Sequence, residues 1–310
     1  MSRSFLRKGT WIGIIGILIV SILPNISSDY WLFDILSNFK LQYLVISVLL
    51  LIISSFILRH KVLALGFIVI SILWNCYYIA PYYLTSPNLI SKSNFKISSL
   101  NLLSSNTKIN LVKSYIQKED SDILVLMEFT PEWKRHLMPI LKNYPYKKIL
   151  TRTDNFGIAL LSKFEMNSSI DYFELNNKPS IRAELKIENK SFTLIATHPM
   201  PPMNQSAFEN RNKQLLNIVD KRSSFSENLI VIGDFNISSF SNHFRALVKG
   251  DLKDTRIGFG LLPTWPARFK ILQTTLDHCL VSENLIVLDR SVGENIGSDH
   301  LPIKISIGTN

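Results

Sequence analysis

Residues 41–58 and 62–80 run for 18 and 19 positions without a charge. A membrane-spanning helix needs about 20 apolar residues, with roughly 17–25 observed, so both stretches are predicted to span a bilayer. An earlier run, residues 11–23, extends through Gly9 and Thr10 to Ile26. Its core length also suits the apolar part of a secretory signal. Pro24-Asn25-Ile26 follows it where a small-residue cleavage site would stand, so it is read as an uncleaved anchor.

Arg3, Arg7 and Lys8 precede the first run, and Arg59, His60 and Lys61 separate the second from the third. Basic residues collect on the cytoplasmic side. An inside N-terminus and three spans then place everything after Ala80 outside the cytoplasm, as a multi-pass membrane protein. Trp74, Tyr77, Tyr78, Tyr82 and Tyr83 suit the outer interface. The spans are read as free of intramembrane acids and bases, which argues for anchoring over transport. The organisation expected is a membrane anchor over residues 1–82, a Pro-, Ser- and Asn-containing linker over 83–94, and one soluble domain over 95–310, held close to the bilayer by the short linker.

The formal charge of +10 is shared between the two parts: seven basic against two acidic residues in 1–93, and 27 against 22 in the remainder. That modest excess suits an anionic substrate or membrane surface and is too diffuse for a dedicated nucleic-acid tract. Cys76 and Cys279 fall in different parts of the chain and lack metal-ligand spacing.

From Phe95 onward, short apolar runs alternate with amphipathic stretches. Strands are predicted over 95–100, 122–127, 157–161, 182–187, 192–196, 229–232, 276–281 and 303–307, and helices over 109–117, 131–143 and 207–220. Many strands with few helices between them indicate stacked sheets flanked by helices.

Polar residues cluster at the ends of these runs. Glu128 closes Ile123-Leu124-Val125-Leu126-Met127, and a carboxylate there is a ligand type that Mg2+ accepts. In Gly233-Asp234-Phe235-Asn236 an acid and an amide at alternate positions are expected on one side of extended backbone. Gly297-Ser298-Asp299-His300 sets an acid beside an imidazole that can act as a base near neutral pH. Asp277 interrupts an apolar strand and needs a partner there, which an imidazole would supply. His198 follows Leu194-Ile195-Ala196-Thr197, and Asn101 ends the first strand. Each of these alone is also an ordinary strand end or turn.

In this order, and above all in Gly233-Asp234-Phe235-Asn236 and Ser298-Asp299-His300-Leu301-Pro302, the residues resemble the endonuclease/exonuclease/phosphatase superfamily, the DNase I-like fold, over about 95–308. Thr197-His198-Pro199-Met200-Pro201-Pro202 is similar to a membrane-anchored bacterial type. The resemblance implies an α/β four-layer sandwich, two face-to-face sheets with helices outside. It implies a Mg2+ or Mn2+ cofactor near Asn101, Glu128 and Asp299, with Asn106 a rival to Asn101. Asp234 would position the attacking water or a second metal, and Asn236 would hold the phosphate. His300 would serve as general base or phosphate-stabilising imidazole, oriented by Asp277, and His198 as acid for the leaving oxygen. The activity implied is hydrolysis of a phosphodiester, a nuclease first, with a phospholipid or sugar-phosphate esterase as the alternative and a non-catalytic phospho-ligand module as the third reading. No protein partner is expected. Arg152, Arg182 and Arg211 are candidates for phosphate contact but are read as ordinary surface or paired arginines, Lys134, Arg135 and His136 as a solvated helix face, and His278 as core or support.

Overall fold

The computed structural model describes residues 3–58, 61–86, 93–175 and 177–309. Its N-terminal part is a bundle of α1 (Arg3–Ile26), α2 (Trp31–Leu36), α3 (Lys40–Ile57) and α4 (Val62–Ile79), followed by the short α5 (Pro81–Leu84). Among the described residues, three stretches are long and apolar enough to cross a membrane: Arg3–Ile26, Trp31–Ile57 and Val62–Ile79. The bundle is apolar outside and partly polar inside. Ile12, Phe56, Val62 and Leu73 point outward, while Ser21, Ser47, Ser71 and Asn75 are buried. Ser71 meets Ser21 at 2.8 Å and Ser47 at 2.9 Å, and Asn75 donates to Ser21. Small hydroxylic residues between helices and large aliphatics outside are the packing that lipid favours.

Two charges between the first and second predicted spans are buried in the bundle. Lys40 opens α3 and is fully buried, donating to the Ser21 carbonyl and to Asn25 Oδ1 at 2.5 Å each and lying over the Tyr78 ring. Asp34, in α2, is also buried. Both lie at the end of the bundle opposite Arg7, whose Nε donates to the Ile57 carbonyl.

The rest of the chain forms two mixed six-stranded sheets. In chain order the strands are β1 (Ser93–Asn101), β2 (Ile123–Met127), β3 (Tyr146–Leu150), β4 (Ile158–Ser162), β5 (Met166–Asp171), β6 (Ser180–Ile187), β7 (Lys190–Thr197), β8 (Asn228–Asp234), β9 (Leu252–Asp254), β10 (Asp277–Ser282), β11 (Ile286–Val292) and β12 (Ile303–Thr309). One sheet has the order β11-β12-β1-β2-β4-β3, the other β5-β6-β7-β8-β10-β9. Phe95, Ile97, Val125, Met127, Leu194, Ile230, Ile232, Cys279 and Ile305 fill the space between them. On the outer face of the first sheet, Leu124 and Leu126 pack against Val112 and Ile116 of α6 (Ile109–Glu119) and Trp133 and Leu137 of α7 (Pro131–Leu137). Ile195, Val231 and Leu280 meet Leu215 and Ile218 of α8 (Gln205–Asp220) and Phe244 of α9 (Asn242–Leu247) on the other. The result is the four-layer sandwich expected, and strands buried on both faces read as unbroken apolar runs.

The central pairs set the site. β1 runs parallel to β2 and β7 parallel to β8, so all four end at one edge of the sandwich. β10 is antiparallel to β8, with Asp277 opposite Asp234, and β12 is antiparallel to β1, with Ile303 opposite Ser99. Residues that close β1, β2, β7 and β8 therefore meet those that open β10 and β12.

Candidate active site

Asp234 is the centre of this edge. Its Oδ2 accepts from Asn101 Nδ2 at 3.2 Å and faces His300 Nε2 at 3.4 Å and His198 Nε2 at 3.5 Å. Its Oδ1 accepts from the Asn236 backbone N–H at 2.9 Å. His300 Nδ1 lies 2.8 Å from Asp277 Oδ2, and this pairing satisfies the charge that interrupts the β10 run. Asn101, His198, Asp234, Asp277 and His300 are all buried.

Close approach of β7 and β8 depends on Gly233, whose φ is +150°. A Cβ there would stand 1.9 Å from the Thr197 carbonyl oxygen, so glycine lets the strand bearing Asp234 lie against the strand end bearing His198. Glu128 (φ +55°) and Asn236 (φ +52°) occupy the left-handed region, which side-chain-bearing residues rarely adopt. Asn236 thus departs from the extended geometry expected of it. The chain turns after Asp234, and Asn236 Nδ2 donates to the Pro199 carbonyl at 3.0 Å.

The charges are mutually stabilised. Burial works against the ionised Asp234, but the His300 and His198 imidazoles and the Asn236 N–H outweigh it and hold the carboxyl below the usual carboxylate range. Burial likewise opposes the imidazolium of His300, yet Asp277 and Asp234 push it up to about 10. Burial raises Asp277, with His300 opposing. His198 is raised despite its burial, through Asp234 and the nearby charge of Glu128.

Glu128 Oε2 accepts from the Ser104 N–H at 2.8 Å. Asp299 Oδ2 accepts from Trp265 Nε1 at 3.1 Å, while its Oδ1 is buried with no hydrogen-bond partner among the described residues. An orphaned buried carboxylate oxygen is costly unless something electropositive meets it. Asp299, Glu128 and the Asn101 amide each offer an oxygen, the donor type that Mg2+ or Mn2+ accepts. Among the described residues, the acids and imidazoles whose ligand atoms lie within 4.8 Å of one another are Asp234, Asp277 and His300. In that group both imidazole nitrogens already face carboxylates, which suits a proton relay. Asn106 is occupied elsewhere, its amide donating to the carbonyls of Leu102 and Ile296.

The arginines read as paired are paired: Arg152 with Asp154, Arg182 with Glu184 and Arg211 with Asp34. His278 is core, lying between Phe235 and Phe244, beside Arg256 and against the Ile237 carbonyl. Three features were not legible in the sequence. Trp265 meets Asp299, and the Phe156 ring stands 5.7 Å from that of His198. Arg211 links Asp34 to the Asn236 carbonyl, with both bonds at 2.8 Å. Each joins residues far apart in the chain, so no local pattern announces it.

A two-sheet sandwich with carboxylates and imidazoles gathered at one edge defines a class of phosphoesterase. The chain belongs to the Endonuclease/Exonuclease/phosphatase family, whose model matches residues 72–300. Solved structures share the fold at low sequence identity. TDP2 of D. rerio, complexed with a single-strand DNA product, is 18% identical with a TM-score of 0.61, covering 70% of this chain and 100% of that one. An endonuclease/exonuclease/phosphatase from Bacteroides vulgatus is 17% identical with a TM-score of 0.60, covering 71% and 100%. The human Nocturnin catalytic domain, with a bound sulfate anion, is 18% identical with a TM-score of 0.56, covering 72% and 97%. No curated protein sequence matches the chain.

Proposed function

We propose that the chain is a membrane-anchored, divalent-metal-dependent phosphodiesterase that hydrolyses its substrate by in-line attack of water on phosphorus. The observation that carries this reading is Asp234 standing between two imidazoles, one of them held by Asp277. Asp234, kept ionised, accepts a proton from the attacking water. His300, kept protonated and oriented through Nδ1 by Asp277, donates to a phosphoryl oxygen. His198 has a buried Nδ1 without a partner among the described residues, and this ring hands a proton to the leaving oxygen. Asn236 contacts the phosphate through its side-chain amide. Asn101, Glu128 and Asp299 would hold Mg2+ or Mn2+, which would supply neutralisation of the charge developing on the phosphoryl oxygens.

The anchor reading has α1, the stretch Trp31–Ile57 and α4 crossing the bilayer, with the catalytic domain extracytoplasmic. The opposed ends of the bundle support it: Arg7 and Lys61 at one, the contacts with the sandwich at the other. TDP2, which shares the fold, holds a single-strand DNA product in its structure, so nucleic acid and phospholipid are the two phosphodiester classes to compare.

The test is hydrolysis of bis(p-nitrophenyl) phosphate by the full-length chain in nanodiscs. Turnover with Mg2+ should vanish on chelation by EDTA and return when Mg2+ or Mn2+ is restored in excess. Turnover that persists in EDTA would sink the metal-dependent reading.

A further inference from the structure

The bundle does more than tether the sandwich, because it binds the loops that frame the site. Asn25, at the end of α1, donates to the Phe240 carbonyl, and Asn242 donates back to the Asn25 carbonyl. The Trp31 N–H donates to Gln205 Oε1, and Gln205 Nε2 to the Asp29 carbonyl, fixing the loop that follows His198. Thr274 donates to the Asn38 carbonyl. Gln42, in the first turn of α3, donates to the carbonyls of Ile271 at 2.9 Å and Gln273 at 3.3 Å. The segments after β7, after β8 and before β10 therefore all rest on the end of the bundle where α3 begins.

The last of these segments has an unusual surface. Arg268, Phe269, Lys270, Ile271 and Leu272 are consecutive and exposed. Phe269 is 66% and Ile271 85% exposed, a costly display in water. Aromatic and aliphatic side chains interleaved with two cations suit the headgroup boundary of an anionic bilayer, where the apolar groups bury and the cations meet phosphate. The Gln42 bonds set the depth, because they hold residue 271 beside the first turn of an apolar helix. The same loop reaches the site: Trp265 Nε1 donates to Asp299 Oδ2, and the Ala267 N–H to the Asp299 carbonyl at 2.7 Å.

We propose that residues 268–272 insert into the headgroup layer of the bilayer that holds α1, α3 and α4, and that the site takes its substrate from that leaflet, as a phosphate ester carried by a lipid. The second clause rests on the phosphodiesterase reading above, and the first stands without it. A nucleic acid would have to approach a site whose framing loops are tied down at the membrane surface, whereas a lipid headgroup is already there.

Two measurements on the full-length chain in nanodiscs containing phosphatidylglycerol test this. In an Ile271→Cys, Cys76→Ala variant carrying an environment-sensitive fluorophore, emission should shift to the blue and be quenched by lipids spin-labelled near the headgroup. Emission characteristic of water, unaffected by those lipids, would overturn the insertion. The variant Phe269→Gln, Ile271→Gln, Leu272→Gln should lose about tenfold or more of its turnover of a phosphodiester lipid, phosphatidylinositol or sphingomyelin, in the same bilayer. Its turnover of bis(p-nitrophenyl) phosphate should stay within about twofold, since these side chains lie outside the reacting groups. Equal loss on both substrates, or faster turnover of single-stranded DNA than of either lipid, would overturn the substrate class. Absence of bis(p-nitrophenyl) phosphate turnover in the parent chain would refute the phosphodiesterase reading and the lipid clause with it, leaving the fluorescence to decide the insertion.

Discussion

His300→Ala is expected to lower turnover of a phosphodiester by about 10²–10⁴-fold, the usual contribution of a positioned acid or base. His300 is the group through which the two buried carboxylates meet, with Asp277 on Nδ1 and Asp234 opposite Nε2. Removing the ring takes away the donor to the phosphoryl oxygen and one of the two imidazoles that keep Asp234 ionised. The fold should survive, because burial already favours the protonated form of Asp277, which can take up a proton when its partner is gone. His300→Gln keeps an amide beside Asp277 and should be as inactive, separating lost chemistry from lost packing. Asp277→Asn should slow turnover less, since the imidazole remains but loses its orientation. Activity near that of the parent chain in His300→Ala would show that the acid–base assignment is wrong.

Arg211→Ala should destabilise the chain by about 3–5 kcal/mol, the cost of stranding one partner of a buried ion pair. Arg211 is 1% exposed and sits on α8. It donates to Asp34 Oδ2 and, through Nη1, to the Asn236 carbonyl. Asp34 also accepts from the Ser241 hydroxyl. Without the guanidinium, Asp34 would face the interior with only that hydroxyl among the described residues, and the left-handed turn at Asn236 would lose its brace. Turnover should therefore fall along with the unfolding midpoint of the full-length chain in detergent. Arg211→Lys should fall between the two, because an ammonium restores charge without the planar fork. An unchanged midpoint in Arg211→Ala would mean that the bundle and the sandwich do not dock through this pair.

Much of the architecture was legible because its strands are buried on both faces. β2 and β8 read as unbroken apolar runs, and each ends where a polar residue is needed. The strands that sequence reasoning missed lie at the sheet edges and carry mixed polarity: β3 with two lysines, β5 as Met-Asn-Ser-Ser-Ile-Asp, β9 as the short Leu-Lys-Asp, and β11 with Asp289 and Arg290 inside it. The helix expected over 131–143 stops at Leu137 and resumes as a single tight turn, Leu141–Asn143, although its apolar residues continue. Strand-end placement also made the candidate site residues readable, since parallel pairs bring their ends together.

The docking of bundle on sandwich was not readable. Asp34 and Arg211 are 177 positions apart, and neither has a patterned neighbourhood. Nor does the sequence announce the burial of Lys40, since a lone lysine before an apolar run is common. Only the packed bundle shows it enclosed by Ser21, Asn25 and Tyr78.

The central claim is a division of labour at one sheet edge, with a divalent cation held by Glu128 and Asp299 and proton transfer handled by His300 and Asp277. Binding of Mn2+ to the full-length chain, followed by electron paramagnetic resonance, tests that division directly. Glu128→Ala is expected to weaken binding by more than about tenfold, while Asp277→Asn binds Mn2+ as the parent chain does. Loss of binding in Asp277→Asn with Glu128→Ala unaffected would place the cation among Asp234, Asp277 and His300 and contradict the assignment.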